Sequence, residues 1–297
     1  MFYTLIISKK QKIIAAVLLL ALAGGLGLHA LRGGVSYCTN EDLAGGASDG
    51  IAAELPAVSP APDAASDGAQ KVAYLTFDDG PSKTTEQVLD TLKEFGVPAT
   101  FFVCTAENNE KYLPLLSRTA AEGHQIALHS NSHRYRTIYS STSGFWEDLE
   151  EEKEKLKPYV GDQQLNCLRF PGGSTNTVSH KYGGSGIMKA LKKQAAERGY
   201  RYFDWNVCAY DAVGGHPSAS TILGHVLKEA KGHDRIIVLM HDTGATKTTA
   251  EALPDIIREL SSMGYAFDTV QNYPLPTPEP SPTPSASPEA PEAPAAP

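Results

Sequence analysis

The chain has 297 residues, 41% hydrophobic and 20% charged, which suffices to bury the core of one or two globular domains. With 34 acidic against 26 basic residues it carries a formal charge of -8, which argues against nucleic acid or an anionic membrane surface as the main partner. That charge leaves a neutral substrate such as a sugar polymer open.

Residues 1–32 read as a targeting segment. Lys9, Lys10 and Lys12 precede an apolar run that ends near Leu28, the pattern of a signal peptide or an N-terminal membrane anchor. Ala21-Leu22-Ala23 offers a small-x-small cleavage site, yet the run is only slightly short of the roughly 17–25 residues that span a bilayer. Lysines ahead of such a run stay cytoplasmic, so either alternative exports the rest to the outer membrane face, the wall or the medium. Residues 33–70, rich in Ala, Gly, Ser, Asp and Pro, bury too little surface to order themselves and read as a linker. Residues 273–297, dominated by Pro, Ser, Thr, Ala and Glu, read as a disordered tail.

Within 71–272, short apolar runs at 72–77, 99–104, 125–129, 167–170, 202–207, 236–241 and 266–270 predict strands. Helical patterns lie between them at 84–95, 110–122, 145–157, 186–198, 218–231 and 248–263. The runs are apolar through most of their length, as strands covered on both faces are, and their alternation with helices predicts a parallel α/β sheet, open or closed into a barrel. Such folds gather chemistry at the C-terminal ends of their strands.

Those ends carry Asp78 and Asp79 after the first strand, His129 and His133 after the third, and Arg169 after the fourth. Asp211 follows the fifth strand and His241 ends the sixth. An Asp-Gly-Pro sequence is ordinary turn punctuation, but adjacent carboxylates repel and need separate tasks. Histidines at i and i+4 lie on one side of a helical turn and can share a cation. Two histidines and one carboxylate leave a coordination position open for water, the pattern of a catalytic divalent metal. An H-x-x-x-H in a chain with nine histidines is weak by itself; the acid pair at another strand end turns the reading toward a metal.

Together, Thr76-Phe77-Asp78-Asp79-Gly80, His129-x-x-x-His133, Arg169-x-Pro171-x-Gly173, Asp211 and Leu239-x-His241 resemble the ordered motifs of the polysaccharide deacetylase family. This is the NodB-homology domain of carbohydrate esterase family 4. The resemblance spans 71–272 and implies a distorted (β/α) barrel with about seven parallel strands. It implies that Asp79, His129 and His133 ligate a divalent metal, zinc first and cobalt as the alternative. Asp78 would be the general base, held and charge-balanced by Arg169. His241 would be the general acid, paired with Asp211. The Gly172 N–H would help hold the oxyanion, with Pro171 and Leu239 beside it on the substrate side.

The implied reaction is hydrolysis of N-acetyl groups on an N-acetylated glycan, with peptidoglycan amino sugars first because the chain is read as exported. Alternatives are chitin oligomers, an exopolysaccharide or acetylated xylan, a catalytically silent wall-binding protein on the same fold, and a peptide amidase. Amide hydrolysis needs an activated water, oxyanion stabilisation and a proton for the amine, and these residue types supply all three. Two positions depart from the family: Gly172 and Ala212 replace larger, often aromatic residues and make the groove less aromatic.

The remaining motifs read blandly. Cys38, Cys104, Cys167 and Cys208 form no C-x-x-C pair and read as small buried residues, a disulfide between two of them being the alternative. His124 reads as orienting backbone near the third strand, and Asp242 as capping or orienting the last loop. His180, His216, His225 and His233 read as loop or surface residues. The acidic run at 147–155 reads as a solvated helix face, with Trp146, Leu149 and Leu156 inward. Trp205 is either core or a sugar platform.

Overall fold

The computed structural model describes residues 70–274. The targeting segment and nearly all of the linker and tail therefore lie outside the described residues. Eight strands form one parallel sheet: β1 (Lys71–Asp78), β2 (Thr100–Cys104), β3 (Gln125–Ser130), β4 (Cys167–Leu168), β5 (Arg201–Tyr202), β6 (Val207–Cys208), β7 (Arg235–His241) and β8 (Tyr265–Phe267). Seven run in the order β5-β4-β3-β2-β1-β7-β6, curled into a half-barrel. β8 adds to the N-terminal half of β1, at Lys71 to Ala73, below the stretch Thr76 to Asp78 that pairs with β2.

The main helices are α1 (Lys83–Phe95), α2 (Leu115–Ala121), α3 (Thr142–Leu156), α4 (Ile187–Glu197), α5 (Ala219–Ala230) and α6 (Lys247–Ser262). They form an outer layer because every strand has two apolar faces to cover. Side chains alternate across a strand. On β1, Ala73, Leu75 and Phe77 join the core beneath the helices, while Tyr74 joins a smaller inner cluster with Phe102, Ala127, Cys167, Phe203 and Ile237. The same alternation places Asp78, Cys104, His129, Arg169 and His241 on the inner face, at the C-terminal end of each strand.

One predicted strand, 202–207, proves to be two. Its start is β5, paired with β4, and its end is β6, paired with β7. Between them Phe203 N–H donates to Leu168 O at 3.0 Å and Asn206 N–H to Ile237 O at 3.3 Å, so each end follows a different neighbour. The two edges of the curled sheet are thus joined by covalent chain, with no ladder between them. The predicted helix 110–122 also divides, into a 3-10 turn at Glu110–Tyr112 and α2, because Pro114 supplies no N–H. The predicted strand 266–270 shifts to β8 and gives way to a 3-10 turn at Val270–Asn272.

The acidic run at 147–155 is not simply a solvated face. Asp148 and Glu152 are buried on the side of α3 that carries Phe145, Leu149 and Leu156. Cys104 and Cys167 are free and buried, as read, whereas the buried Cys208 is disulfide-bonded, the alternative reading.

His124 is buried, and its Nδ1 accepts the Ala99 N–H at 3.3 Å, fixing the entry to β2. Its Nε2 has no partner. Burial lowers its pKa to about 4 from an ordinary 6.5. Between those values the unfolded chain holds a proton that the native protein rejects, so stability is full above pH 6.5 and falls as pH drops toward 4. The loss is on the order of 2–4 kcal/mol. His124→Gln is expected to flatten that acid limb when urea midpoints are compared across the window; an unchanged slope excludes His124 as its source.

Candidate active site

Asp78 ends β1 opposite His241 of β7 and Phe102 of β2. Two adjacent strand residues would normally point to opposite faces. Asp79 escapes that rule because its backbone is left-handed, with φ of 69°. This uncommon conformation for a non-glycine residue returns its carboxylate to the side of Asp78. Its amide donates to Phe102 O at 3.2 Å, and Asn109 Nδ2 donates to its carbonyl at 2.8 Å.

Asp79 Oδ1 lies 3.3 Å from His129 Nε2 and 3.2 Å from His133 Nε2. His129 Nδ1 donates to Arg169 O at 2.7 Å, which fixes the tautomer and leaves Nε2 as the free donor atom. The β2–β3 register passes from Val103–Leu128 to Cys104–Ser130, a bulge that skips His129. His133 is also left-handed, at φ of 50°. Its loop is gripped from below: Asp148 accepts from Ser130 Oγ at 2.6 Å, Asn131 N–H at 2.8 Å and Ser132 N–H at 3.0 Å. Glu152 accepts the His129 N–H at 3.0 Å. Burial pushes the Glu152 carboxyl well above the carboxylate range. With the His129 tautomer fixed and three donor atoms converging, these residues fit a divalent cation.

Arg169 is 1% exposed. Its Nη1 donates to Asp78 Oδ1 at 2.7 Å and to Thr76 Oγ1 at 2.8 Å, its Nε to Phe203 O at 3.0 Å, and its guanidinium stacks 4.1 Å over Phe102. On the other side, His241 Nδ1 donates to Asp211 Oδ1 at 2.9 Å, and Asp211 Oδ2 accepts the His241 N–H and the Thr249 hydroxyl, each at 2.7 Å. Burial would lower the His241 pKa, but the charge of Asp211 and its hydrogen bond carry it up to about 10.

Gly172 and Gly173 follow Pro171 with φ of 81° and 85°, conformations that favour glycine. Pro171 O accepts the Tyr139 hydroxyl at 2.8 Å, and Asp204 accepts from Ser174 N–H at 2.8 Å and Ser174 Oγ at 2.5 Å, pinning this loop. Leu239 is buried on β7, beside Thr76 and two residues before His241. Trp205, partly buried, packs against the inner cluster and lies 5.6 Å from Arg169. Asp242 accepts the Thr85 hydroxyl at 2.6 Å through Oδ2, and its carbonyl accepts Ser82 Oγ at 2.6 Å, tying the last strand's loop to the Asp79–Ser82 turn. A side chain at Gly80 would meet that carboxylate at 2.2 Å. A cleft of about 330 Å³ opens beside the site, lined by Asp79, Asn109, Tyr112, His133 and Thr243.

The structure thus brings Asp78, Asp79, His129, His133, Arg169, Asp211 and His241 to one end of the sheet. Asp148, Glu152 and Asp204 are the supports that reading the sequence missed, whereas Asp242 orients the last loop as expected. For Asp148 and Glu152 the signal was present, since 145, 148, 149, 152 and 156 form one helical stripe.

A family model for polysaccharide deacetylases matches residues 65–196. Over 225 residues the chain is 33% identical to a peptidoglycan-N-acetylglucosamine deacetylase of Bacillus cereus, covering 73% of this chain and 77% of that one. Among solved structures, the catalytic domain of peptidoglycan N-acetylglucosamine deacetylase from Eubacterium rectale matches with a TM-score of 0.64 at 37% identity, over 69% of this chain and 90% of that one. A Streptococcus mutans CE4 esterase matches with a TM-score of 0.58 at 32% identity, over 67% of this chain and 86% of that one. Fold and site define a hydrolase of the carbohydrate esterase kind. The chain belongs to the polysaccharide deacetylase family.

Proposed function

We propose that this chain removes N-acetyl groups from amino sugars of peptidoglycan by cation-assisted amide hydrolysis, at the outer face of the cell. The observation that carries this reading is the flanking of a three-donor cluster by two oppositely charged pairs, Asp78–Arg169 and His241–Asp211. The names of the relatives and the apolar N-terminal run support the polymer and the location.

Asp79, His129 and His133 hold the cation, zinc or cobalt. When bound, it supplies a Lewis acid that polarises the acetyl carbonyl and acidifies water. Asp78 takes the proton of the attacking water, and the Arg169 contact fixes the carboxylate and balances its charge. His241 delivers its proton to the departing amine nitrogen, which would otherwise be a poor leaving group. Asp211 keeps that proton on His241 until it is needed. The Gly172 N–H supports the carbonyl oxygen as charge develops.

Acetate release from purified peptidoglycan, with mass analysis of the sugar that loses its acetyl group, tests the reading. Release from acetylated xylan or chitin oligomers but not from peptidoglycan overturns the substrate. His129→Ala or His133→Ala is expected to lose bound cation and activity together; cation content surviving both changes sinks the ligand assignment. Asp211→Asn removes the charge that holds the His241 pKa high, so the alkaline limb of kcat should move to lower pH. An unmoved limb rejects His241 as the acid.

A further inference from the structure

Cys104 is the inner-face residue that ends β2, two residues beyond Phe102, which pairs with Asp78, and it pairs with Ser130, next to His129. It is 2% exposed, and its Sγ lies 3.7 Å from Asp79 Oδ1. One donor atom from each of Asp79, Cys104, His129 and His133 falls in a group whose members all lie within 4.8 Å of one another. Cation bonds of about 2.0–2.1 Å to nitrogen and oxygen and 2.3 Å to sulfur give tetrahedral edges of roughly 3.3 Å between N and O and roughly 3.6 Å between S and O. The three edges that meet at Asp79 Oδ1 measure 3.3, 3.2 and 3.7 Å. The long edge falls on sulfur, as the bond lengths require.

Resting on the cation reading above, we propose that Cys104 is a fourth protein ligand, a soft donor that biases the site toward thiophilic divalent ions, with water joining as a fifth ligand. On coordination the S–H bond breaks, a sulfur lone pair bonds the cation, and the proton passes to solvent. A thiolate beside two imidazoles and one carboxylate favours zinc, cobalt or cadmium over manganese or magnesium. It also cancels the second positive charge of the ion, leaving the donor set and cation neutral. The buried position of Cys104 suits this role. No other cysteine among the described residues shares the group.

The test uses the full chain, stripped of metal and titrated with cobalt(II). One bound cobalt with a sulfur-to-cobalt charge-transfer band in the near ultraviolet is expected, and Cys104→Ser should bind cobalt without that band. The same variant should lose at least about tenfold of the preference for zinc over manganese, measured by chelator competition. X-ray absorption of the zinc-loaded wild type needs no variant and should show one sulfur at about 2.3 Å. One bound cobalt without the band, a band that persists in Cys104→Ser, or a zinc shell free of sulfur overturns the proposal and leaves the three-ligand site standing. A wild type that binds neither cobalt nor zinc removes the cation reading itself, and this inference with it.

Discussion

On the proposed mechanism, Asp78→Asn is expected to lower kcat by about 10²–10⁴-fold while leaving cation content as in the unaltered protein. The amide can still accept from Arg169 Nη1, which now reaches Asp78 Oδ1 at 2.7 Å, so the local geometry should survive. What disappears is the capacity to take a proton from water. The proposed cation donors Asp79, His129 and His133 are untouched, and cation analysis beside kinetics decides the matter. A variant that is both inactive and metal-free would show that the tasks of Asp78 and Asp79 are reversed.

Arg169→Met should have the largest effect on stability, a loss of about 3–5 kcal/mol. The side chain is enclosed, and its removal leaves the Asp78 carboxylate buried without a counter-charge. The same change withdraws the donors that now satisfy Thr76 Oγ1 and Phe203 O. Combining it with Asp78→Asn removes the stranded charge, so the double variant should be more stable than Arg169→Met alone and remain inactive. Denaturant midpoints of the four proteins in the cycle give the coupling. Strictly additive losses would mean that the pair does not act as a unit.

The fold was largely legible, because continuous apolar runs and helical stripes mark most elements directly. The barrel-like curl was not carried by any local signal. It depends on the 202–207 run dividing between two distant neighbours, β4 and β7, and a single apolar run shows no division. The row of site residues could be read from strand ends. The adjacency of Asp78 and Asp79 could not be explained that way, since alternation alone sends one of them outward; the left-handed turn at Asp79 depends on tertiary contacts from Phe102 and Asn109. Asp148 and Glu152 were misread for another reason. Acids in a run of acids suggest solvent, and only the stripe shared with Phe145, Leu149 and Leu156 points inward.

The chain crossing between β5 and β6 has a mechanical consequence. Phe203 O and Asp204 O are the acceptors for Arg169 Nε and Nη2, at 3.0 and 3.3 Å, so the guanidinium that steadies Asp78 is moored to the seam of the half-barrel. The Asp204 side chain moors the Gly172–Ser174 loop to the same four residues. Opening the seam would slacken the proposed base Asp78 and the Gly172–Ser174 loop in one movement, without touching Asp79, His129 or His133.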